Sequence, residues 1–166
     1  TSGKMEWIDG NIGSYKTMKY PCCVLKGDNA SGTCITISVA KNNQEQDTGA
    51  KMIHLGKNTT SNIITNGLNI NDGRLSFIVS TYIKNKMTGC FANQQNRIIN
   101  LTSNNCKIQP NLLIDEQDVE ANHSALIGGF RDEEMFYLKR LGINHDDALK
   151  LLISGFLLNK VDKNLI

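Results

Sequence analysis

Short alternating runs of apolar and polar residues fill the first two thirds of the chain. Residues 33–39 (TCITISV) and 75–79 (LSFIV) carry apolar side chains at alternate positions, and the second run follows the turn signal Asn-Asp-Gly at 71–73. Alternation with a period of two is typical of a β-strand that presents one face to a core. Glycines separate further runs, so the sequence predicts a series of short strands up to about residue 115.

The arrangement of these strands is not fixed by the pattern. No segment with a helical period separates them, which argues against βαβ crossovers and leaves a sandwich, a barrel or a β-solenoid. Asn and Thr recur in the turns, which suits a solenoid whose coils stack and bury their faces against each other. The pattern alone leaves the three all-β architectures open.

The period becomes helical from Phe130 onward. The acidic residues at 132–134 fall where the first turn of a helix has a partial positive charge, and Gly142 suits a C′ position because glycine tolerates positive φ. Asn144 is a typical N-cap for a second helix. The apolar stripes expected for the two helices are Met135, Leu138 and Leu141, and then Ala148, Leu151, Leu152 and Phe156. The sequence therefore predicts a two-helix appendage after the β region.

Composition narrows the class of protein. The 166 residues fit one domain with a small appendage, and 40% hydrophobic and 20% charged residues are typical of a folded chain. The net charge is only +2 and the two signs are interspersed, so no basic stripe predicts binding to nucleic acid. The longest apolar run, 149–158, is shorter than the ~20 residues of a membrane-spanning helix. We expect neither nucleic acid nor a membrane as a partner.

The five cysteines are odd in number and lack paired spacing, which argues against a disulfide framework and indicates a reducing compartment. No C-x-x-C is present, so the sequence has no zinc-ribbon or ferredoxin-type cluster motif. Cys106 lies in a polar segment and is expected in an exposed turn. His54 ends an alternating run and is expected as a wall residue of the β region.

Asn, Ile and Lys, whose codons are rich in A and T, are used heavily. This usage suggests an A/T-rich genome, such as that of a reduced organelle. The stroma of a plastid, for example an apicoplast, is therefore the expected location, with the cytoplasm as the alternative.

Five segments, in order along nearly the whole chain, resemble the SufB/SufD family of iron–sulfur cluster assembly scaffolds. They are residues 6–14 (EWIDGNIGS), 18–21 (MKYP), 46–59 (QDTGAKMIHLGKNT), 132–143 (DEEMFYLKRLGI) and 148–156 (ALKLLISGF). The segment at 46–59 is similar to the most recognisable stretch of that family. The resemblance implies a scaffold subunit for iron–sulfur cluster assembly rather than an enzyme.

The resemblance also implies a fold, a right-handed parallel β-helix followed by two short C-terminal helices. This expectation agrees with the pattern of strands and helices and selects among the all-β architectures. Residues 1–128 would form the C-terminal part of the β-helix, and residues 129–166 a helical segment that docks an ATPase. It further implies that the sequence begins part-way along the β-helix, after the coils where sulfur is thought to enter.

Cluster assembly needs soft thiolate ligands, sometimes helped by imidazole or carboxylate. Members of the family resemble one another in a cysteine on a late strand and a Glu-His-Glu-Ala segment before the helices. His123 corresponds to that histidine, Asn122 and Ser124 replace its acids, and the cysteine position falls on Gln95. We therefore expect His123 as a metal or transient cluster ligand and Cys90 as a substitute thiolate. An offset of five from Gln95 places Cys90 on the opposite strand face unless a bulge intervenes.

The family implies two partners, a separate ABC-type ATPase called SufC and a second scaffold subunit of the SufB or SufD type. The scaffold's C-terminal helices form the docking surface for the ATPase, which here corresponds to Phe136, Tyr137, Leu138 and the stripe that ends at Phe156. An aromatic pair offers more apolar area than a two-helix appendage buries alone. The alternative is that these residues only pack the helices onto the β-helix.

Three functions are open at this point. The first is a cluster-building scaffold, and the second is a SufD-like structural subunit that binds no cluster, which the replaced acids beside His123 favour. The third is a carbohydrate-active enzyme on a pectin-lyase-like β-helix. That enzyme would need acidic and basic residues clustered on one solenoid face, and the sequence shows no such cluster.

Overall fold

The structure, a computed structural model, describes residues 2–102 and 105–161, and over these residues the chain forms strands followed by two helices. In chain order the elements are β1 (Lys4–Ile12), β2 (Lys16–Lys19), β3 (Cys22–Leu25), β4 (Ser31–Lys41), β5 (Glu45–His54), β6 (Thr60–Ile70), β7 (Arg74–Ile83), β8 (Cys90–Asn100), β9 (Cys106–Ile114), β10 (Val119–Gly128), α1 (Asp132–Arg140) and α2 (His145–Leu158). The β region ends at Gly128, and the division into parts 1–128 and 129–166 stays a prediction.

The strands alternate between two parallel sheets. Sheet A has the order β1-β4-β6-β8-β10, and sheet B has the order β2-β5-β7-β9 with β3 also paired to β5. Ser31 pairs with Thr60 and Glu45 with Arg74, so this coil takes 29 residues, whereas the next takes 31, as the pairing of Thr60 with Phe91 shows. The result is a parallel β-solenoid of about four turns with two C-terminal helices. The predicted β-helix is therefore confirmed, and the sandwich and the barrel are excluded.

Asparagines stack along the turns, as the sequence predicts for a solenoid. Asn42 and Asn71 both have positive φ, and Nδ2 of Asn71 donates to Oδ1 of Asn42 at 2.8 Å. At the other turn, Asn58 lies against Gly89, whose φ is +69°. A Cβ atom at position 89 would lie 2.1 Å from Oδ1 of Asn58, so this position in the column requires glycine.

The main core lies between the two sheets. Leu75, Phe77 and Val79 of β7 are at most 1% exposed, as the alternation predicts, and they pack against residues of sheet A such as Ile63 and Ile98. Burial of each such side chain stabilises the fold by about 1.5–3 kcal/mol. Since Ile98 belongs to β8, this core also anchors the strand that carries Gln94 and Gln95.

The apolar face of β4 packs outward. Its inner face carries Cys34, Thr36 and Ser38, and the hydroxyl of Ser38 lies 2.9 Å from that of Thr48 across the interior. A second core lies outside sheet A, under α2. Its members are Ile37, Leu68, Ile99, Phe156 and Leu157, with Val39, Ile70, Leu101, Phe130, Ile153 and Val161 packed around them. The alternation at 33–39 therefore predicted the strand correctly, but the apolar face of this strand packs against α2 rather than in the interior of the solenoid.

Both helix boundaries follow the expected signals. Oδ1 of Asn144 accepts a hydrogen bond from the backbone N–H of Asp147 at 3.0 Å, and Gly142 has φ +84°. The predicted stripe of α2 is wrong at Leu151, which is 54% exposed. Five residues at 3.6 per turn place Leu151 roughly 140° around the helix from Phe156, and hence away from sheet A.

The prediction for Cys106 was also wrong. This residue begins β9, pairs with Leu75, and packs half-buried against the main core. The polar neighbours of Cys106 in the sequence suggested a turn, although Cys106 and Ile108 alternate with Lys107 and Gln109 as in a strand, and both pack against the main core.

Candidate functional site

His123 and Gln94 lie side by side on neighbouring strands. β10 pairs with β8 so that His123 is opposite Gln94 and Ser124 is opposite Gln95. Paired residues of parallel strands point to the same face, and Gln94 is fully buried in the interior whereas Gln95 is exposed. His123 therefore shares the inner face with Gln94, and the position expected for the family's cysteine, Gln95, lies on the outer face.

The side chain of Gln94 extends from sheet A to sheet B. Its Nε2 donates to Oγ1 of Thr81 at 2.9 Å and to the backbone oxygen of Asn111 at 3.1 Å. Its Oε1 is buried and has no hydrogen-bond partner among the described residues. His123 itself is exposed, because β10 has β8 as its neighbour in sheet A and forms the last strand of that order. The pair offers an imidazole and a neutral amide oxygen.

Cys90 lies on the same inner face but is enclosed by other residues. It is 2% exposed, and its Sγ lies 3.1 Å from Oγ1 of Thr59 and 3.4 Å from the backbone oxygen of Gly56. Cys90 pairs with Val119, four residues before His123. At ~3.3 Å per residue the two positions are about 13 Å apart along the strands, so they do not face a common ligand in this structure.

His54 is a buried, neutral wall residue. Its Nδ1 lies 2.8 Å from Oγ1 of Thr59 and its Nε2 lies 2.8 Å from Oγ of Ser61, so both ring nitrogens have partners. Burial lowers the pKa of His54 to about 4, because the charged form would lose its hydration. Thr59 therefore joins His54 and Cys90 in one hydrogen-bonded cluster, and the expectation that His54 is structural agrees with these contacts.

The other inward thiols are poor nucleophiles. Burial raises the pKa of Cys34 to about 11, and burial together with the neighbouring Cys22 raises the pKa of Cys23. Across residues 2–102 and 105–161, no three His, Cys, Asp or Glu side chains come close enough together to hold a metal ion. Soft ligands for iron are therefore scarce where the structure places His123.

The helical segment presents two exposed aromatic rings. Phe136 is 61% and Tyr137 63% exposed, and the guanidinium of Arg140 lies 5.7 Å from the centre of the Phe136 ring. Leu138 is half-buried. Phe156 is buried against sheet A, with its ring 6.4 Å from that of Phe130 in an edge-to-face arrangement. Phe156 therefore packs the appendage onto the solenoid and does not present its ring to a partner.

Comparison with known proteins decides the family. The family model for the SUF system FeS cluster assembly, SufBD core domain, matches residues 1–156. The chain belongs to the SufBD family. It is 36% identical over 155 residues to the iron–sulfur cluster assembly protein SufB of Bacillus subtilis, covering 92% of this chain and 33% of that protein. An iron–sulfur cluster assembly SufBD family protein of Staphylococcus aureus strain USA300 is 35% identical over 158 residues, covering 94% of this chain and 34% of that protein.

The chain thus spans about a third of the length of the curated relatives that it matches. The resemblance of the five sequence segments is confirmed. No helix in the described part of this SufBD family chain is long and apolar enough to cross a membrane.

The residues near His123 do not by themselves fit an iron–sulfur cluster. Such clusters are held by thiolates, and the groups that share the inner face at this level are the imidazole of His123 and the amide of Gln94. An amide oxygen is a hard, neutral donor with little affinity for iron in a sulfide cluster. A cluster bound here would need thiolate ligands besides these two side chains.

Sequence reasoning missed Gln94. The signal was the coil length: Asn29 and Asn58, like Asn42 and Asn71, are 29 residues apart and occupy equivalent turns. Counting back one such coil from His123 gives Gln94. The link between His54 and Cys90 through Thr59 had no sequence signal, because a threonine in a turn is common and its contacts depend on three different coils.

Proposed function

We propose that this SufBD family chain is a scaffold subunit of an iron–sulfur cluster assembly complex, working with a SufC-like ATPase and a second scaffold subunit of the SufB or SufD type. The observation that carries the proposal is the exposed pair Phe136 and Tyr137 on α1, in a chain whose residues 1–156 match the SufBD core. ATP hydrolysis is assigned to the partner, and the cluster is cargo rather than a resident cofactor. The relatives are named as iron–sulfur cluster assembly proteins, which supports this role.

The docking surface is proposed on α1. Exposed aromatic rings and arginines are the side chains that most often dominate protein interfaces, and Phe136, Tyr137 and Arg140 supply both kinds. Leu141, which is 61% exposed, extends the apolar area. Of the residues expected from the sequence, Phe136 and Tyr137 are available to a partner and Leu138 is available in part. Phe156 instead packs α2 onto sheet A.

A second role, a SufD-like subunit that holds no cluster alone, is favoured by the surroundings of His123. The thiol of Cys90 lies about 13 Å along the strands from His123 and is buried among Ile83, Ala92 and Thr59. We propose that His123 contributes one imidazole ligand to a cluster whose thiolates come from the second scaffold subunit. In this role the chain completes and positions the site without building the cluster alone.

Co-purification tests the docking proposal. The full-length protein is expressed with the matching SufC-like ATPase, as the natural sequence and with Phe136→Asp. A charge in the aromatic pair should abolish or greatly weaken the complex, because a carboxylate buried in an apolar interface loses its hydration. Tyr15→Asp is the matched control, since Tyr15 is a 74% exposed aromatic residue between β1 and β2 and belongs to neither helix. Equal recovery of the ATPase with both variants would sink the proposal.

Anaerobic reconstitution with iron and sulfide separates the two roles. The protein alone should retain little cluster, and the complex with a second scaffold subunit should retain it in a form sensitive to His123→Ala. Stable, stoichiometric cluster on the isolated protein would assign it the cluster-building role instead. The organellar location remains a prediction from composition; both relatives described above are bacterial.

A further inference from the structure

A groove of about 320 Å³ lies between the outer face of sheet A and the end of α2. It is separate from the inner face that carries His123 and from the exposed rings of α1. One wall is formed by β8 and β10 through Gln95, Arg97 and Leu126, and the other by Phe156 and Lys160. The groove is within the lower range of volumes of small-molecule sites.

The charges in this groove have one sign. Arg97 and Lys160 are its charged lining residues, and neither forms a salt bridge in the part of the chain that the structure describes. Glu134 interacts electrostatically with Arg97. Its carboxylate, however, accepts hydrogen bonds from Arg131, from the backbone N–H at 3.0 Å and from the guanidinium at 3.2 Å. Among the residues that the structure describes, the lining of the groove is therefore electropositive and contains no acidic side chain.

Arg97 has a buried donor without an acceptor. Its Nε is enclosed and has no hydrogen-bond partner among residues 2–102 and 105–161. The guanidinium lies 5.2 Å from the centre of the Phe156 ring, which fixes its plane. A buried N–H without an acceptor is costly, and a guanidinium held in place loses little entropy when an oxyanion binds it.

The rest of the lining is apolar or neutral. Ile64, Leu126 and Phe156 present hydrocarbon to the groove, and the side-chain amide of Gln95 lies at its edge. The end of α2 is held over the groove by Asn66, whose Nδ2 donates to the backbone oxygen of Phe156 at 3.0 Å. An occupant would therefore need an anionic head for the two cations and an apolar body for the hydrocarbon wall.

We propose that this groove binds a small organic phosphate. Its phosphoryl oxygens accept from Arg97 and Lys160, and its apolar part lies against Ile64, Leu126 and Phe156. Two cations favour a doubly charged head group over a carboxylate, and a guanidinium matches phosphate oxygens in a bidentate manner. Because α2 forms one wall, binding of such a molecule would stabilise the packing of the helical segment on the solenoid.

Calorimetric titration of the full-length protein tests the proposal with phenyl phosphate as the probe. Inorganic phosphate supplies the head alone, phenol the body alone, and benzoate a carboxylate head on the same ring. Phenyl phosphate should bind at least about tenfold more tightly than each of the other three, since each lacks one set of contacts. Binding of phenol or benzoate as tight as that of phenyl phosphate would overturn the assignment to phosphate.

Two variants locate the binding. Arg97→Gln and Lys160→Gln should each weaken binding of phenyl phosphate by about tenfold or more. Lys84→Gln is the matched control and should leave binding unchanged, because Lys84 is an exposed cation outside the groove. If Arg97→Gln unfolds the protein, Lys160→Gln carries the test, since Lys160 is exposed. Unaltered affinity in folded Lys160→Gln would contradict the proposal.

Discussion

Cys90 and His123 face the same interior but lie four residues apart along neighbouring strands. Cys90 pairs with Val119, and His123 pairs with Gln94. The separation of about 13 Å is far larger than the few ångströms between two ligands of one metal ion. The hydroxyl of Thr59 is also hydrogen-bonded to the thiol of Cys90. Cys90 and His123, which the sequence suggested as ligands of one cluster, therefore lie in two different environments.

This separation gives opposite expectations for the two side chains. In the complex with a second scaffold subunit, His123→Ala should lower the iron and sulfide retained after anaerobic reconstitution, because it removes an exposed imidazole. Cys90→Ser should leave that content unchanged, since the thiol is enclosed. Equal losses in the two variants, with both still folded, would restore Cys90 as a ligand.

The stability of the fold should fall in mild acid because of His54. Its pKa is about 4 in the folded protein and about 6.5 when unfolded, so the unfolded chain binds the proton more readily. The stabilisation is therefore present above pH 6.5 and is lost as the pH falls toward 4, by about 2 kcal/mol between pH 7 and pH 5.

Denaturant unfolding at several pH values measures this loss. His54→Gln should flatten the dependence between pH 7 and pH 5, although it lowers stability at pH 7. His145→Gln, a change at an exposed histidine in α2, should keep the slope of the natural protein. An unchanged slope in His54→Gln would show that another group titrates.

Gly89 should tolerate substitution less well than Gly142. Both have positive φ, so alanine at either position costs about 1–2 kcal/mol of backbone strain. Only at position 89 would the new Cβ meet another atom, Oδ1 of Asn58 at 2.1 Å, whereas nothing lies within 4 Å at position 142. Gly89→Ala should therefore have the lower free energy of unfolding, and equal values would contradict the asparagine column.

The sequence predicted the elements more reliably than it predicted their faces. Period-two runs, turn glycines and helix caps are local signals, and they located β4, β7 and both helices. The apolar face of β4 was expected to serve the strand region, but Ile37 packs under α2 because the solenoid interior at that level is occupied by Thr36 and Ser38. Which face of a strand points into the solenoid depends on the residues that pack against it from other coils, and the sequence of a single strand does not show this.

The candidate site was predicted only in part. His123 was identified through the family resemblance, and the family's cysteine position was assigned to Gln95, which lies on the outer face. Successive residues of a strand point to opposite faces, so the inward neighbour of His123 is Gln94, and no local sequence pattern indicated this residue. Phe136 and Phe156 could not be separated by sequence either, since both are aromatic residues in short amphipathic helices and only packing on sheet A distinguishes them.

Phe156 and Tyr137 are both aromatic, but we expect the loss of Phe156 to lower stability and the loss of Tyr137 to weaken docking. Phe156→Ala opens a cavity in the contact between α2 and sheet A and should destabilise the protein by about 3–5 kcal/mol. Tyr137→Ala removes an exposed ring and should change the free energy of unfolding by less than about 0.5 kcal/mol while weakening the ATPase complex. Denaturant unfolding and co-purification measure the two effects, and a large loss of stability in Tyr137→Ala would contradict the docking role.

Hydrogen–deuterium exchange of the full-length protein, with and without the matching SufC-like ATPase, tests docking on α1 most directly. We expect slower exchange of the backbone amides of Asp132–Arg140 when the ATPase is present, and unchanged exchange in the turns at 42–44 and 71–73. The same slowing should be absent in Phe136→Asp. Protection confined to the solenoid strands, with α1 exchanging as in the free protein, would contradict the proposed docking surface.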